Sequence, residues 1–132
     1  MKTAHTAETI LKALERRYPI GEVRYRFRNG YIFKHDWESD FFIQTKAGIT
    51  YEFEVKISRA DFKADRKKVI KHSILEHGCY DQVFKHYIGY GPDRTPQFRE
   101  EIKTKTWKLR PNRFYYVVPS GMLSSSEVPK YA

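Results

Sequence analysis

Asp40, Glu54 and Lys56 are the residues of this chain whose types and spacing suit chemistry. Residues 51–57 read Tyr-Glu-Phe-Glu-Val-Lys-Ile, so Phe53, Val55 and Ile57 alternate with Glu52, Glu54 and Lys56. A period of two is that of a strand with one apolar face and one charged face. Successive charges on that face stand about 7 Å apart. Two carboxylates on neighbouring strands, Asp40 and Glu54, suit a hard cation, and Mg²⁺ (or Mn²⁺) binds through a few carboxylate oxygens while keeping several waters. The Val55 carbonyl offers a third protein ligand. A metal held there would polarise a phosphate and lower the pKa of bound water. Lys56 on the same face would hold that water and offset charge in the transition state. Together these groups suit hydrolysis of a phosphodiester. A plainer reading of the same residues is the solvated face of an edge strand, with Glu52, Glu54 and Lys56 in cross-strand ion pairs.

The elements that must bring Asp40 to Glu54 are two strands, Asp40 to Thr45 and Ile49 to Ile57, joined at Lys46-Ala47-Gly48. A three-residue hairpin loop wants a left-handed residue in third place, and Gly48 stands there. That loop pairs Thr45 with Ile49, so Phe41 faces Phe53 and Ile43 faces Tyr51. Asp40 then lies opposite Glu54. A slip of one residue would turn Asp40 to the apolar side, which burial penalises.

Around this pair the pattern predicts a helix over residues 6–17, with Thr6 as N-cap, Pro19 as stop and Ile10, Leu11 and Leu14 in its buried stripe. Val23 to Arg28 and Tyr31 to Phe33 read as a hairpin turning at Asn29-Gly30. Ser58 caps a basic helix over 59–76 that ends near Gly78, with Phe62, Val69, Ile70 and Ile74 on its inner face. Residues 77–110 form an excursion, with a short helix near Gln97–Lys103. Arg113 to Val118 is a further strand. No internal repeat and no second domain is visible, so residues 1–132 read as one domain.

The 132 residues carry a formal charge of +9, with ten Tyr and nine Phe. A small basic chain rich in aromatics suggests a polyanionic partner, nucleic acid first. Arg59, Lys63 and Lys67 on the helix, and Arg94, Lys105 and Lys108 in the excursion, are candidate contacts to a nucleic-acid backbone. Cys79 is the only cysteine, so no disulfide framework or cysteine-based zinc site is available. A reducing, cytoplasmic setting is expected, since no signal-peptide pattern or membrane-length apolar run is present.

Asp40 followed by Glu54-Val55-Lys56 resembles the PD-(D/E)XK nuclease superfamily. The run Lys56-Ile57-Ser58-Arg59-Ala60-Asp61-Phe62-Lys63-Ala64-Asp65-Arg66-Lys67 is more specific. Together with Asn112-Arg113-Phe114-Tyr115-Tyr116-Val117-Val118-Pro119 and Val128-Pro129, it is similar to the MmcB-like DNA-repair branch. The likeness covers roughly residues 6–76 and 111–131. Ser39 stands where the motif's name has proline, and residues 77–110 look like an insertion. The resemblance implies an α/β, restriction-endonuclease-like fold with an α-β-β-β-α-β core, a mixed central sheet flanked by helices. It also implies metal-dependent cleavage of DNA in a repair or phage-related setting, with a glutamate of the first helix, here Glu8, assisting at the metal. Many proteins of such a fold act as homodimers, because one site cuts one strand. The alternatives are a non-catalytic module that binds DNA or docks on a repair partner, and a structural protein with an ion-paired sheet face. The last predicts Asp40 turned away from Glu54, or Lys56 tightly paired to Glu52.

Overall fold

The computed structural model describes residues 6–132 and shows a mixed α/β protein. Helix α1 (Ala7–Arg17) leads into strands β1 (Val23–Lys34), β2 (Trp37–Thr45) and β3 (Thr50–Val55). Helices α2 (Arg59–Arg66) and α3 (Val69–His77) follow, then strands β4 (Cys79–Tyr90), β5 (Pro96–Thr106) and β6 (Arg113–Val117). The main sheet has the order β1-β2-β3-β6, with β3 antiparallel to β2 and parallel to β6. Strands β4 and β5 form a separate two-stranded sheet.

Thr6 and Thr9 cap α1 reciprocally, and Ile10, Leu11 and Leu14 are its buried stripe. They pack on Phe41, Ile43, Phe53 and Val55 on one face of the sheet. The other face carries Phe42 and Phe114, which meet Ile74 and Leu75 of α3 together with Phe33 and Trp37. Two apolar layers thus enclose the sheet, and β3 runs through its middle.

The β2–β3 register is the expected one, with Phe41 opposite Phe53 and Ile43 opposite Tyr51. Gly48 closes the loop at φ 91°, and the Thr45 N–H donates to the Ile49 carbonyl at 2.8 Å. Other expectations are corrected. Asn29-Gly30 is no turn: β1 runs straight through it, and the chain reverses at His35-Asp36. Asn29 keeps the left-handed backbone that turn chemistry favours, φ 52°, but spends it inside the strand. The helix expected over 59–76 is broken at Lys67-Lys68, where two N–H groups bond three residues back, to Ala64 and Asp65. The break re-aims the second half. Val69 and Ile70 are exposed, and Lys71 and His72 are buried in their place. Residues 97–103 are strand, not helix. The excursion is a hairpin arm whose strands pair from Cys79–Thr106 to Tyr90–Pro96. Its root is fixed by Trp107, whose indole N–H donates to the Phe33 carbonyl at 3.1 Å.

Candidate functional site

The sheet's own irregularity builds the site. Trp37 and Ser39 both reach Glu52 on the α3 face, while Phe41 lies in the α1 layer and Phe42 again in the α3 layer. The alternation of β2 is therefore out of step between Ser39 and Phe41, and Asp40 sits at the step. The β2–β3 ladder ends at Phe41–Phe53. Beyond it the Asp40 carboxylate substitutes for the missing partner strand and accepts the Val55 N–H through Oδ2 at 2.8 Å. Oδ1 of Asp40 accepts no hydrogen bond among the described residues. On the other side of β3, the Lys56 N–H donates to the Val117 carbonyl of β6 at 3.0 Å.

Glu54, next to Val55, is 3% exposed. Its Oε1 accepts from the Lys71 ammonium at 2.8 Å, and its Oε2 lies 3.4 Å from the Lys56 ammonium. Lys71 also donates to Asp65 Oδ1 at 2.8 Å, so one buried lysine bridges two buried acids. Oδ2 of Asp65 accepts from the Tyr116 hydroxyl at 2.6 Å and from His72 Nε2 at 3.1 Å. His72 Nε2 also meets the Asp65 carbonyl, and Nδ1 meets the Tyr131 hydroxyl. The network ties β3, α2, α3, β6 and the C-terminal segment into one unit. A cleft of about 420 Å³, lined by Lys34, Trp37, Lys68 and Ile70 among others, opens beside Lys71.

Burial pushes the Glu54 carboxyl up, and so does the charge of Asp40, while Lys71 opposes both. Burial alone would also raise Asp65, but hydrogen bonds from His72, Lys71 and Tyr116 and the Lys71 charge hold it well below the usual range. The Lys71 ammonium loses hydration on burial, yet Glu54 and Asp65 more than compensate and hold it above its ordinary range.

Glu52 is fully buried and differs from its neighbour. Its Oε1 accepts from Trp37 Nε1 at 2.6 Å and from Ser39 Oγ at 2.8 Å, but its Oε2 has no partner among the described residues. Burial pushes it up from 4.5 to about 7, against the pull of the Trp37 bond and Lys71. The folded chain then holds a proton at Glu52 that the unfolded chain has released. From this group, stability falls by up to about 3 kcal/mol as pH rises from about 4.5 to about 7. Asp65 acts in the opposite sense, and its contribution is lost as pH falls below its ordinary value of 3.8. Glu52→Gln is expected to remove the Glu52 slope and to be more stable than wild type at pH 8. Urea melts of both proteins at pH 5, 6.5 and 8 check this, and parallel pH profiles would refute it.

Asp40, Glu54, Val55 and Lys56 thus converge where β2 and β3 part. Glu52 and Glu54 do not lie on a solvated edge strand, since β3 is interior and both acids are buried. The ion pair of Lys56 is with Glu54 and not with Glu52. Glu8 is elsewhere. It pairs with Arg28 at 2.8 Å, and Arg28 stands opposite Phe41 in the α1 layer, on the far face of the sheet from Glu54. Arg59 is tied to Glu127 at 2.8 Å and to the Met122 carbonyl at 2.9 Å, whereas Lys63, Lys67, Arg94, Lys105 and Lys108 are exposed. Lys71, His72, Tyr116 and Tyr131 escaped the sequence reading. The one available signal was Lys71-His72, two polar residues at helical spacing from Ile74 and Leu75.

Among the described residues, no three His, Cys, Asp or Glu side chains form a metal-binding group. Of the expected donors, Asp40 keeps one oxygen that accepts no hydrogen bond among the described residues, and a hard, largely hydrated cation there would relieve the Asp40–Glu54 repulsion, whereas both Glu54 oxygens are met by lysine ammoniums. No helix among the described residues is long and apolar enough to cross a membrane. In comparisons with known proteins, the chain matches no family model, no curated protein and no solved structure.

Proposed function

We propose that this protein is a metal-dependent DNA endonuclease with a restriction-endonuclease-like core of the PD-(D/E)XK kind, resembling the MmcB-like repair branch. The observation that carries the reading is the meeting of Asp40, Glu54 and Lys56 at the parting of β2 and β3. Asp40, Glu54 and the Val55 carbonyl would hold Mg²⁺ or Mn²⁺. When bound, the ion would supply an acidified water and charge for the phosphate oxygens.

The chain's own residues do the rest. Asp40 holds the Val55 N–H and so fixes the backbone of the ligand-bearing strand. Lys71 orients Glu54 from below. The Lys56 ammonium, 3.4 Å from Glu54, is placed to orient the attacking water and offset developing negative charge. Lys63 on α2 and Lys67 at its C-terminal cap, and Arg94, Lys105 and Lys108 on the arm and beside it, supply cations for the DNA backbone.

Cleavage of labelled single-stranded, duplex and branched DNA tests this reading, with Mg²⁺, Mn²⁺ or EDTA. Wild type is expected to cut only with metal, and Lys56→Ala to cut about 10²-fold more slowly. Equal cutting by both proteins would sink the assignment. One observation favours a second reading, a DNA-binding module without turnover: both Glu54 oxygens are already met by lysines. Binding without cutting under every metal condition would support it.

A further inference from the structure

Among the described residues, nothing covers one face of the hairpin arm. Its register sets Val83 opposite Ile102, Lys85 opposite Glu100 and Tyr87 opposite Phe98. Residues two apart share a face, so these six side chains stand together. The four apolar ones are between 53% and 64% exposed. The opposite face has another character. There Lys103 and Lys105 lie over the Phe84 ring, and Arg99 and the His86–Glu101 pair continue it. A two-stranded hairpin alone is at best marginally stable in water. An apolar face displayed along such an arm therefore calls for cover.

Charge decides what covers it. Lys85 and Glu100 lie at the centre of the apolar patch and directly opposite each other, yet among the described residues no ion pair joins them. We propose that the covering surface is the same face of a second copy, so that two arms pack face to face about a two-fold axis running along the strands. That axis exchanges the strands. Each Lys85 then lies over the partner's Glu100, and each Val83 over the partner's Ile102. Tyr87 likewise lies over the partner's Phe98. A two-fold axis across the strands would instead oppose like charges, which disfavours it. The face is isologous and self-complementary, as a closed dimer requires.

The arm has eleven paired positions and is about 35 Å long and about 10 Å wide, and the six side chains occupy its middle. Burying the exposed parts of these side chains on two copies covers on the order of 1,000 Å², the low end for a specific interface, so a weak association is expected. The basic face stays open in this dimer. The proposal stands apart from the nuclease reading, because it is tested by mass and needs no cleavage.

Sedimentation velocity of the full chain tests it, from about 5 to about 500 μM. Wild type is expected to pass from monomer to dimer across that range. Lys85→Glu and Glu100→Lys are each expected to weaken self-association at least about tenfold, since like charges then face each other. An equimolar mixture of the two variants restores the dimer, because each chain supplies the charge the other lacks. The double variant restores it as well. Those rescues cannot come from an arm that has failed to fold. A wild type that stays monomeric throughout overturns the proposal. So does a mixture no tighter than either variant alone. A monomer whose Tyr87→Ser variant loses DNA affinity would assign the face to nucleic acid, which also overturns it.

Discussion

Lys71→Ala is expected to destabilise the protein by about 3–5 kcal/mol, because it leaves buried acids without their cation. Glu54 and Asp65 are 3% and 1% exposed, and Lys71 bridges them at 2.8 Å on each side. Asp65 keeps Tyr116 and His72, but Glu54 keeps only the longer pair with Lys56. Glu54 would respond by taking up a proton, since burial already pushes it up and Lys71 is the main opposing influence. The loss should therefore grow with pH and be smallest in mild acid. Lys71→Met separates charge from volume. It fills the space yet leaves the acids unpaired, so it should cost nearly as much. For a chain of this size the loss corresponds to a melting point lower by about 10–20 °C. Thermal and urea melts at pH 5 and pH 8 give both magnitude and slope. A Lys71→Met protein as stable as wild type at pH 8 would show that the bridge contributes shape and not charge.

What the sequence revealed, and what it hid, follows from how local each determinant is. The β2–β3 register was legible because two local signals agreed. Gly48 demands a left-handed position, and only one register keeps Phe41, Ile43, Tyr51 and Phe53 on one side. The same register places Asp40 beside Glu54, but not as the expected cross-strand pair: the ladder stops at Phe41–Phe53 and Asp40 bonds the Val55 N–H instead. Asn29-Gly30 misled because a left-handed residue suits a strand irregularity as well as a turn. Only pairing with β2, which continues to Lys34–Trp37, decides between them. Residues 97–103 carry charges at helical spacing, but their ladder with 82–89 is non-local and overrides that preference. Lys71 and His72 were hidden by the assumption of one unbroken helix. Once Lys67-Lys68 breaks it, the buried face of α3 is no longer in phase with that of α2. Alternation placed Glu52 and Glu54 on one face correctly. It could not show that α3 covers that face and turns a charged strand surface into a buried network.

Asp40→Asn should separate activity from stability. An amide oxygen accepts the Val55 N–H as a carboxylate oxygen does, so the bond that fixes β3 at 2.8 Å is retained. The lost charge is one that works against its neighbour, since Asp40 helps push the Glu54 carboxyl up. The variant is therefore expected to match wild type in stability or to exceed it by up to about 1 kcal/mol, as happens when a strained functional group is neutralised. Cleavage should behave in the opposite way. An amide is a poorer ligand for a hard cation than a carboxylate, and losing one of two acidic ligands should slow metal-dependent cutting by about 10³-fold. Excess Mn²⁺ should recover part of that loss if binding is the defect. Urea melts and single-turnover cleavage on the same preparation read both sides. Full activity in Asp40→Asn would remove Asp40 from the metal site. A loss of more than about 2 kcal/mol would instead make Asp40 chiefly a structural cap for β3, where its charge rather than its shape holds the Val55 N–H.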